Sequence, residues 1–243
     1  MDSVPQVAII AALEREIRPL VRSWKKTVRD YEGRTFMFYH NPRAVLVCGG
    51  IGAEAARRAT EAAITLYQPI LLISAGFAGA LSSEMKAGQT FSPRTIIDAR
   101  DGSRTDTRTG AGVLVTVTTI AHGEARARLA ESYGAQAVDM EAAAVAKGAD
   151  AHGLPCIAVK AISDEINFPM ISMERFITAD GQFQEGRLVL YAVVRPWLWS
   201  NLITLARNSR RASQALCRWL DQFKYEEGDI YQPDLHPARR VRS

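Results

Sequence analysis

The stretch VDMEAAAVAKGADAHGLPCIAVKAISD, residues 138–164, decides the fold predicted for this chain. It predicts a helix that begins near Glu141 and stops at residues 153–155, because glycine can form a left-handed cap and proline cannot continue a helix. The apolar run 156–162 has the length of a buried strand, and Asp164 lies where that strand ends. Ligands of open α/β sheets bind at the carboxyl ends of strands. Asp164 is therefore placed for chemistry, and Glu141 is a second candidate.

The N-terminal residues predict a similar junction between a strand and an acidic helix. The apolar run 7–11 favours a strand, and ALEREI at 12–17 begins a helix with apolar side chains near helical spacing. Glu14 and Glu16 therefore lie just after the first strand, in the same kind of position as Asp164. A helix cap for Asp164 and a solvated first turn for the two glutamates would explain these acids without any chemistry.

Two glycine-rich segments also follow predicted strands. Residues 49–52 lie between a strand at 44–48 and a helix of small residues at 53–67, and residues 75–79 follow a strand at 70–74. We expect two glycine turns that let the backbone approach a ligand, although any α/β sheet needs such turns. Neither segment matches GxGxxG or GxxxxGK[ST], so a dinucleotide or nucleoside triphosphate site is not predicted.

The rest of the chain completes an α/β pattern without internal repeats. The further predicted segments are strands at 35–39 and 113–120, a polar surface excursion at 89–112, a helix at 124–133, a loop-rich region at 165–186 and a long helix from Pro196. With 243 residues, of which 47% are hydrophobic, the chain fits one domain with a large core. We expect that domain at 1–224 and a polar, poorly ordered tail at 225–243.

The cysteines and the N-terminus bear on the cell compartment. The three cysteines are odd in number and widely spaced, which predicts buried thiols in a reducing compartment and no metal site. The first residues lack a basic segment typical of a signal peptide, and no apolar run reaches membrane-spanning length. We therefore expect a cytoplasmic protein.

The positive charge of the chain is concentrated near its C-terminus. The net charge is +4, and the residues from Arg195 onward include nine Lys or Arg and five Asp or Glu. Apolar side chains share one face of the predicted terminal helix, and arginines occupy the other. The arginines on that face are Arg207, Arg211 and Arg218. The helix either packs on the core with a solvated basic side or contacts an anionic membrane surface or lipid-like substrate. Nucleic-acid binding is not predicted, since no recognised motif accompanies the basic residues.

Four segments together carry a resemblance to a known family. AALEREI at 11–17, SAGFAGAL at 74–81, AVDMEAAAVA at 137–146 and KAISD at 160–164 occur in the expected order. They closely resemble the purine nucleoside phosphorylase and nucleosidase superfamily, in particular methylthioadenosine/S-adenosylhomocysteine nucleosidases. The resemblance implies a three-layer α/β/α sandwich around a mixed, partly barrel-like sheet. It also implies a homodimer or larger assembly and cleavage of the ribosyl C–N bond of a small nucleoside, with no cofactor.

The resemblance also implies roles for individual residues. Glu16 would orient and deprotonate the attacking water, and Asp164 would share a proton with the purine imidazole nitrogen. Glu141 would accept hydrogen bonds from the ribose hydroxyls, with Met140 packed against the sugar. The other positions implied near the ribose, the water or Asp164 are Ala78, Gly79 and Ser163.

The chemistry of the reaction agrees with these roles. Cleavage develops positive charge on the sugar and negative charge on the base, so a carboxylate near the sugar and a proton donor near the base both favour the transition state. We expect desolvation to raise the pKa of Asp164, which leaves a buried strand, and expect Glu16 to stay ionised nearer to water.

The chain departs from the family pattern at several positions. Phe77 stands where the family often has serine, and the usual purine-stacking phenylalanine has no clear match in residues 115–120. SAGFAGAL also lacks the arginine and serine of the phosphate-binding turn of phosphorylases, which favours water as the nucleophile. Arg34, Arg94 or a neighbouring subunit remain possible sources of a cation for phosphate.

Three functions stay open from the sequence. The first is hydrolytic release of adenine from a methylthioadenosine-like or S-adenosylhomocysteine-like nucleoside. The second is phosphate-dependent removal of adenine from an adenosylated lipid, because DMEAAAVA and the long terminal helix resemble the phosphorylase-like proteins of hopanoid biosynthesis. The third is a nucleoside-binding module that has lost catalysis, although the joint presence of Glu16, Glu141 and Asp164 argues against it.

Overall fold

The computed structural model describes residues 6–169, 174–178, 181–226 and 229–231. Its helices are α1 (Glu14–Val21), α2 (Ala53–Tyr67), α3 (Glu124–Tyr133), α4 (Ala142–Ala151), α5 (Glu185–Val193) and α6 (Trp199–Gln222). Its strands are β1 (Val7–Ala11), β2 (Lys25–Tyr31), β3 (Arg34–His40), β4 (Ala44–Cys48), β5 (Leu71–Ala80), β6 (Thr90–Phe91), β7 (Thr95–Asp98), β8 (Arg104–Asp106), β9 (Val113–Thr116), β10 (Ala137–Asp139), β11 (Cys156–Asp164), β12 (Lys224–Glu226) and β13 (Asp229–Tyr231).

A mixed sheet of eleven strands forms the centre of the molecule. Its middle is parallel, with β4, β1, β5 and β11 pairing side by side. These strands are short apolar runs buried along nearly their whole length, as expected for strands covered on both faces. Antiparallel strands flank this core, namely β2 and β3 at one edge and β8 at the other.

The long strand β5 divides the sheet into two parts. Along one side it pairs with β11 over nearly its full length. Along the other side it pairs first with β1 and then, beyond Ser74, with β10 in the antiparallel direction. The sheet therefore branches at β5, which agrees with the predicted partly barrel-like sheet.

Helices cover both faces of the sheet. Alanine-rich α2 and α4 pack against each other and on one face, where small side chains allow close approach. Helix α1 and the second half of α6 cover the other face, with Ile17, Leu216 and Trp219 in the core. The predicted α/β/α sandwich is confirmed.

The structure of the segment SAGFAGAL differs from the turn predicted there. We expected a glycine turn at 75–79, but β5 continues through it to Ala80. Gly76 and Gly79 pair with Lys160 and Asp164 of β11, and neither has a positive φ. By contrast, the turn predicted at 49–52 is confirmed, since Gly50 and Gly52 have φ values of 106° and 98°.

Several other boundaries differ from prediction. The polar excursion at 89–112 contains the short strands β6, β7 and β8, and β2 was missed because it is mostly exposed and charged. The strand predicted at 113–120 ends at Thr116. The tail predicted from residue 225 begins with the antiparallel pair β12 and β13, and residues 232–243 lie outside the described part of the chain.

The C-terminal helices differ in burial along their length. Buried positions of α6 are confined to 212–220, so the apolar face predicted from Leu198 onward packs on the core only in its second half. Within the described residues, no single helix is long and apolar enough to cross a membrane. The pair formed by Glu185–Val193 and Pro196–Gln222 would qualify by length and composition together, but it is bent by 119°.

Candidate active site

A cavity of about 180 Å³ lies where β1, β5, β10 and β11 end. All of the residues predicted for the site line this one cavity, although they come from four distant parts of the chain. They are Glu16, Phe77, Ala78, Gly79, Met140, Glu141, Ser163 and Asp164. Glu14, the other acid of the first helical turn, is not among the lining residues, and within the described chain it pairs with Arg18 at 3.7 Å.

Asp164 is the last residue of β11 and is held by two donors. A bulge between Ile162 and Asp164 shifts the register, so that Asp164 lies opposite Gly79. The Ser163 hydroxyl donates to Asp164 Oδ1 at 2.6 Å, and Arg126 Nη2 donates to Oδ2. Arg126 is itself fixed by the backbone carbonyl groups of residues 121 and 165, both at 3.0 Å. The acid is thus a buried, doubly hydrogen-bonded carboxylate.

Asp164 is 3% exposed, so it is desolvated as expected for the end of a buried strand. The ion pair with Arg126 was not predicted from the sequence.

Glu16 is also in a different environment from the one expected. Its side chain is only 5% exposed, at the start of α1, and Leu13 N donates to Glu16 Oε2 at 3.4 Å. Burial raises the pKa of Glu16, and nearby Lys160 partly opposes this shift. Glu16 is therefore less accessible to water than expected.

Lys160 supplies a buried positive charge beneath the carboxylates. It is 1% exposed, and its Nζ lies 2.8 Å from Asp139 Oδ2 and donates to Ser74 Oγ at 3.1 Å. Burial alone would lower the pKa of Lys160, but the nearby acids, first Asp139 and then Glu141, raise it above its usual value. The charged lysine is therefore stabilised by acids at the end of β10 and just beyond it.

Glu141 lies at the junction between β10 and α4. Its Oε1 accepts a hydrogen bond of 2.8 Å from the backbone N–H of Gly52, which belongs to the first glycine turn. Burial, with a smaller contribution from Asp139, raises the pKa of Glu141 to about 7. The turn at 49–52 thus holds an acid of the cavity by its backbone.

The two glycines of β5 provide the space that these side chains occupy. A Cβ on Gly79 would lie 2.9 Å from Arg126 Nη2 and 3.1 Å from Asp164 Oδ2. A Cβ on Gly76 would lie 3.1 Å from Glu16 Oε2. Glycine is used here for close approach within a strand and not for a turn.

Sequence reasoning missed four charged residues of the site, namely Arg15, Arg126, Asp139 and Lys160. Lys160 had a usable signal, because a single charge inside an otherwise apolar strand needs a buried partner. Arg126 gave no signal in its surface-like helix. Arg34 and Arg94, named as possible phosphate ligands, do not line the cavity.

Apolar side chains complete the cavity wall. Val117 and Ile120 come from the segment that lacks the expected phenylalanine, and Phe77 and Phe183 supply aromatic rings. Phe183 belongs to the loop-rich region predicted at 165–186. Its ring lies 4.5 Å from the guanidinium of Arg15. Met170, from the same region, lies outside the described residues.

A larger groove adjoins the cavity between α1 and α6. It measures about 660 Å³ and shares Arg15, Phe77, Leu205 and Ser209 with the cavity wall. The apolar side chains of Leu188 in α5 and of Leu202 and Ala206 in α6 also line the groove. So do Arg18 in α1 and Arg22 just after it.

Known proteins share this fold and arrangement of elements. A solved futalosine hydrolase of Helicobacter pylori matches with a TM-score of 0.66 at 18% identity, over 90% of this chain and 96% of the other. An S-adenosylhomocysteine nucleosidase of Streptococcus pyogenes, in complex with 5-methylthiotubericidin, matches with a TM-score of 0.63 at 19% identity, over 91% and 98% of the two chains.

Two sequence comparisons extend this similarity. The aminodeoxyfutalosine nucleosidase of Campylobacter jejuni is 24% identical over 196 residues, which cover 66% of this chain and 86% of that protein. The family model described as "Phosphorylase superfamily" matches residues 6–112 and 99–186, which include every predicted site residue. The chain therefore belongs to the phosphorylase superfamily.

Proposed function

We propose that this protein hydrolyses the N-ribosidic C–N bond of an adenine nucleoside and releases adenine. The observation that carries this proposal is the convergence of Glu16, Glu141 and Asp164 on one cavity. Three acids from distant segments are costly to bury together unless their charges have a use. The names of the relatives, which are nucleosidases and a futalosine hydrolase, support the same reaction class.

In this proposal Glu16 is the general base. It takes a proton from the attacking water, whose oxygen forms the new bond to the anomeric carbon as the C–N bond breaks. A buried acid with a raised pKa suits this step, since a base works best when its pKa is near the operating pH. Each acid or base step contributes roughly a hundredfold to ten-thousandfold in rate.

Asp164 serves the departing ring. It hands a proton to the purine as negative charge grows on the ring, and the carboxylate recovers that proton from solvent. Glu141 accepts hydrogen bonds from the ribose hydroxyls, and its negative charge favours a cationic sugar. One water is consumed, with its hydroxyl on the sugar and a proton on the adenine.

Water is favoured over phosphate by the charges around the cavity. The lining cations within the described residues are Arg15 and Arg126. Arg126 is paired with Asp164, and Arg15 lies 3.8 Å from Glu185 and packs on Phe183. Neither guanidinium is directed at an open anion site, as phosphorolysis would require.

The test is a substrate panel with and without phosphate. The purified protein is incubated with methylthioadenosine, S-adenosylhomocysteine, adenosine and inosine, and released base is measured by chromatography. Adenine release without phosphate is the expected result. Release only in the presence of phosphate would overturn the hydrolytic assignment.

The groove favours a second candidate, removal of adenine from an adenosylated lipid. The inner cavity of about 180 Å³ is smaller than the 300 to 1,000 Å³ typical of small-molecule sites, so a nucleoside with a bulky 5′ group needs the adjoining groove. Leu188, Leu202 and Leu205 give that groove an apolar wall, which lies beside arginines that also line it. A 5′-alkylthioadenosine series of increasing chain length distinguishes the candidates, because only a lipid-linked substrate gains kcat/KM with each added methylene.

Homo-oligomerisation and a cytoplasmic location remain predictions from the sequence. Size-exclusion chromatography with light scattering and cell fractionation test them directly.

A further inference from the structure

The corner between α5 and α6 exposes an unusual amount of apolar surface. The described residues leave ten large apolar side chains exposed, and six of them lie between positions 190 and 203. These six are Leu190 (70% exposed), Val193 (60%), Val194 (65%), Trp197 (68%), Trp199 (51%) and Ile203 (50%). Single exposed apolar side chains are ordinary, but a contiguous group marks an interaction surface. We call this group the corner patch.

The chain segment that carries the corner patch holds charges of one sign. Glu185 and Asp221 bracket 35 residues, 186–220, that contain six arginines and no acid. Five of these arginines are exposed, namely Arg187, Arg207, Arg210, Arg211 and Arg218. A partner that covers the patch must therefore tolerate the positive charge of these arginines or carry negative charge that complements it.

Two polar side chains of the corner have partners within it. Trp199 Nε1 donates to the carbonyl oxygen of Ala192 at 2.9 Å, so its indole is tied to the end of α5. Arg195 Nη1 donates to the carbonyl oxygen of Tyr191 at 3.1 Å, and its guanidinium lies 3.9 Å from the centre of that ring. These internal bonds lower the cost of moving the two side chains into an apolar medium.

We propose that the corner patch docks this protein on an anionic lipid surface. Tryptophan is enriched at the boundary between lipid and water, and arginines beside an apolar wedge attract acidic headgroups. The two helices meet at a bend of 119°, so in this proposal the corner between them forms the wedge that enters the interface. A second copy of this chain fits less well, because a two-fold interface would place this acid-free, arginine-rich surface against itself.

The docked orientation also brings the cavity to the lipid. The groove that joins the cavity is lined by Leu188 of α5 and by Leu202 and Leu205 of α6, the same helices that carry the patch. A nucleoside whose 5′ group is embedded in the lipid would then pass along the groove into the cavity. This consequence rests on the proposed function, whereas docking itself does not.

Vesicle sedimentation of the full-length protein tests the docking. We expect binding to vesicles of phosphatidylglycerol and phosphatidylcholine, weak binding to phosphatidylcholine alone, and loss of binding in high salt. Ile203→Asp and Val194→Asp should weaken binding roughly tenfold or more, since each places a carboxylate in the wedge. Arg207→Glu should have a similar effect through charge.

Matched controls come from exposed residues elsewhere in the chain. Ile70→Asp, Val28→Asp and Arg128→Glu change the same residue types at exposed sites that are far from the corner patch in sequence. These variants should bind vesicles as the parent does. All variants should cleave methylthioadenosine at the parent rate, so a failure of docking is distinguishable from a failure of the proposed reaction. Absence of vesicle binding by the parent at low salt would overturn the proposal. The proposal would also be overturned if the parent protein were a dimer and Ile203→Asp dissociated it.

Discussion

Arg126 Nη2 donates a hydrogen bond to Asp164 Oδ2, and both side chains are almost completely buried, at 3% and 5% exposure. The pair joins α3 to the end of β11 across 38 positions of sequence. A buried ion pair contributes little net stability when it is replaced as a whole, but removing one partner leaves an uncompensated charge. This asymmetry allows the structural and chemical contributions of the pair to be separated by mutation.

Asp164→Asn should abolish turnover while the fold remains. The asparagine side-chain oxygen can still accept from Arg126, but an amide cannot carry the proton that the departing ring needs. We expect kcat to fall by about 10²-fold to 10⁴-fold, with the circular dichroism spectrum and nucleoside binding retained. Parental turnover in this variant would remove Asp164 from the mechanism.

Arg126→Met should destabilise the protein by about 3 to 5 kcal/mol, because Asp164 would stay buried without its partner. Arg128 on the same helix provides a matched control. Its guanidinium is exposed and lies 3.6 Å from Glu124, so Arg128→Met should change the free energy of unfolding by only about 0 to 1 kcal/mol. Urea denaturation of the two variants measures the difference. Equal effects would mean that the pair at Asp164 is not as isolated from solvent as its burial indicates.

Glu141→Ala should weaken the binding of ribosides far more than the binding of free adenine. The proposed contacts of Glu141 are with the ribose hydroxyls, and a hydrogen bond to a charged group contributes about 1.5 to 3 kcal/mol. Calorimetric titration with adenosine and with adenine gives both affinities. Equal losses for the two compounds would show that Glu141 does not hold the sugar.

Stability should fall as the pH rises through the range in which Glu141 titrates. Its pKa is raised from 4.5 to about 7 in the folded protein, so the folded state binds the proton more tightly than the unfolded state. The contribution of this group is therefore most favourable below pH 4.5 and is lost between pH 4.5 and about 7. Glu141→Gln keeps an acceptor for Gly52 N–H and removes the titration, so it should flatten this decline. Urea denaturation between pH 5 and 8 tests this expectation. Parallel plots of unfolding free energy against pH for the parent and the variant would contradict the assignment.

Gly79→Ala should lower kcat by displacing Arg126 and Asp164, since the added methyl would stand 2.9 Å and 3.1 Å from their side chains. Gly186→Ala in α5 is the control, because a Cβ there meets no neighbour within 4 Å. Steady-state kinetics of both variants give the comparison. An unaffected Gly79→Ala enzyme would mean that the two side chains can move without loss of function.

Local pattern predicted much of the fold. The helices at 53–67 and 124–133 and the strand at 44–48 have the bounds that the sequence indicated, because caps, apolar spacing and flanking glycines all agree there. Glycine misled the prediction at 75–79, since its usual link to turns hides its other use, which is to leave room beside a strand.

The site was harder to predict in its charges than in its position. Glu16, Glu141 and Asp164 were identified from strand ends and from the family resemblance, and they line one cavity. Their environments depend on Arg126 and Lys160, whose contacts are set by tertiary packing and leave no local pattern. Composition likewise could not show that only the second half of α6 packs on the core.

Because the sheet branches at β5, the geometry of the reacting centre does not depend on the C-terminal helices. Because β10 and β11 both hydrogen-bond to β5, the spacing between the acid that follows one strand and the acid that ends the other is fixed by backbone pairing. The α5–α6 corner contributes nothing to that pairing. Substrate range and the proposed lipid docking can therefore diverge among descendants of this chain through changes in its last two helices, while the reacting centre is inherited unaltered.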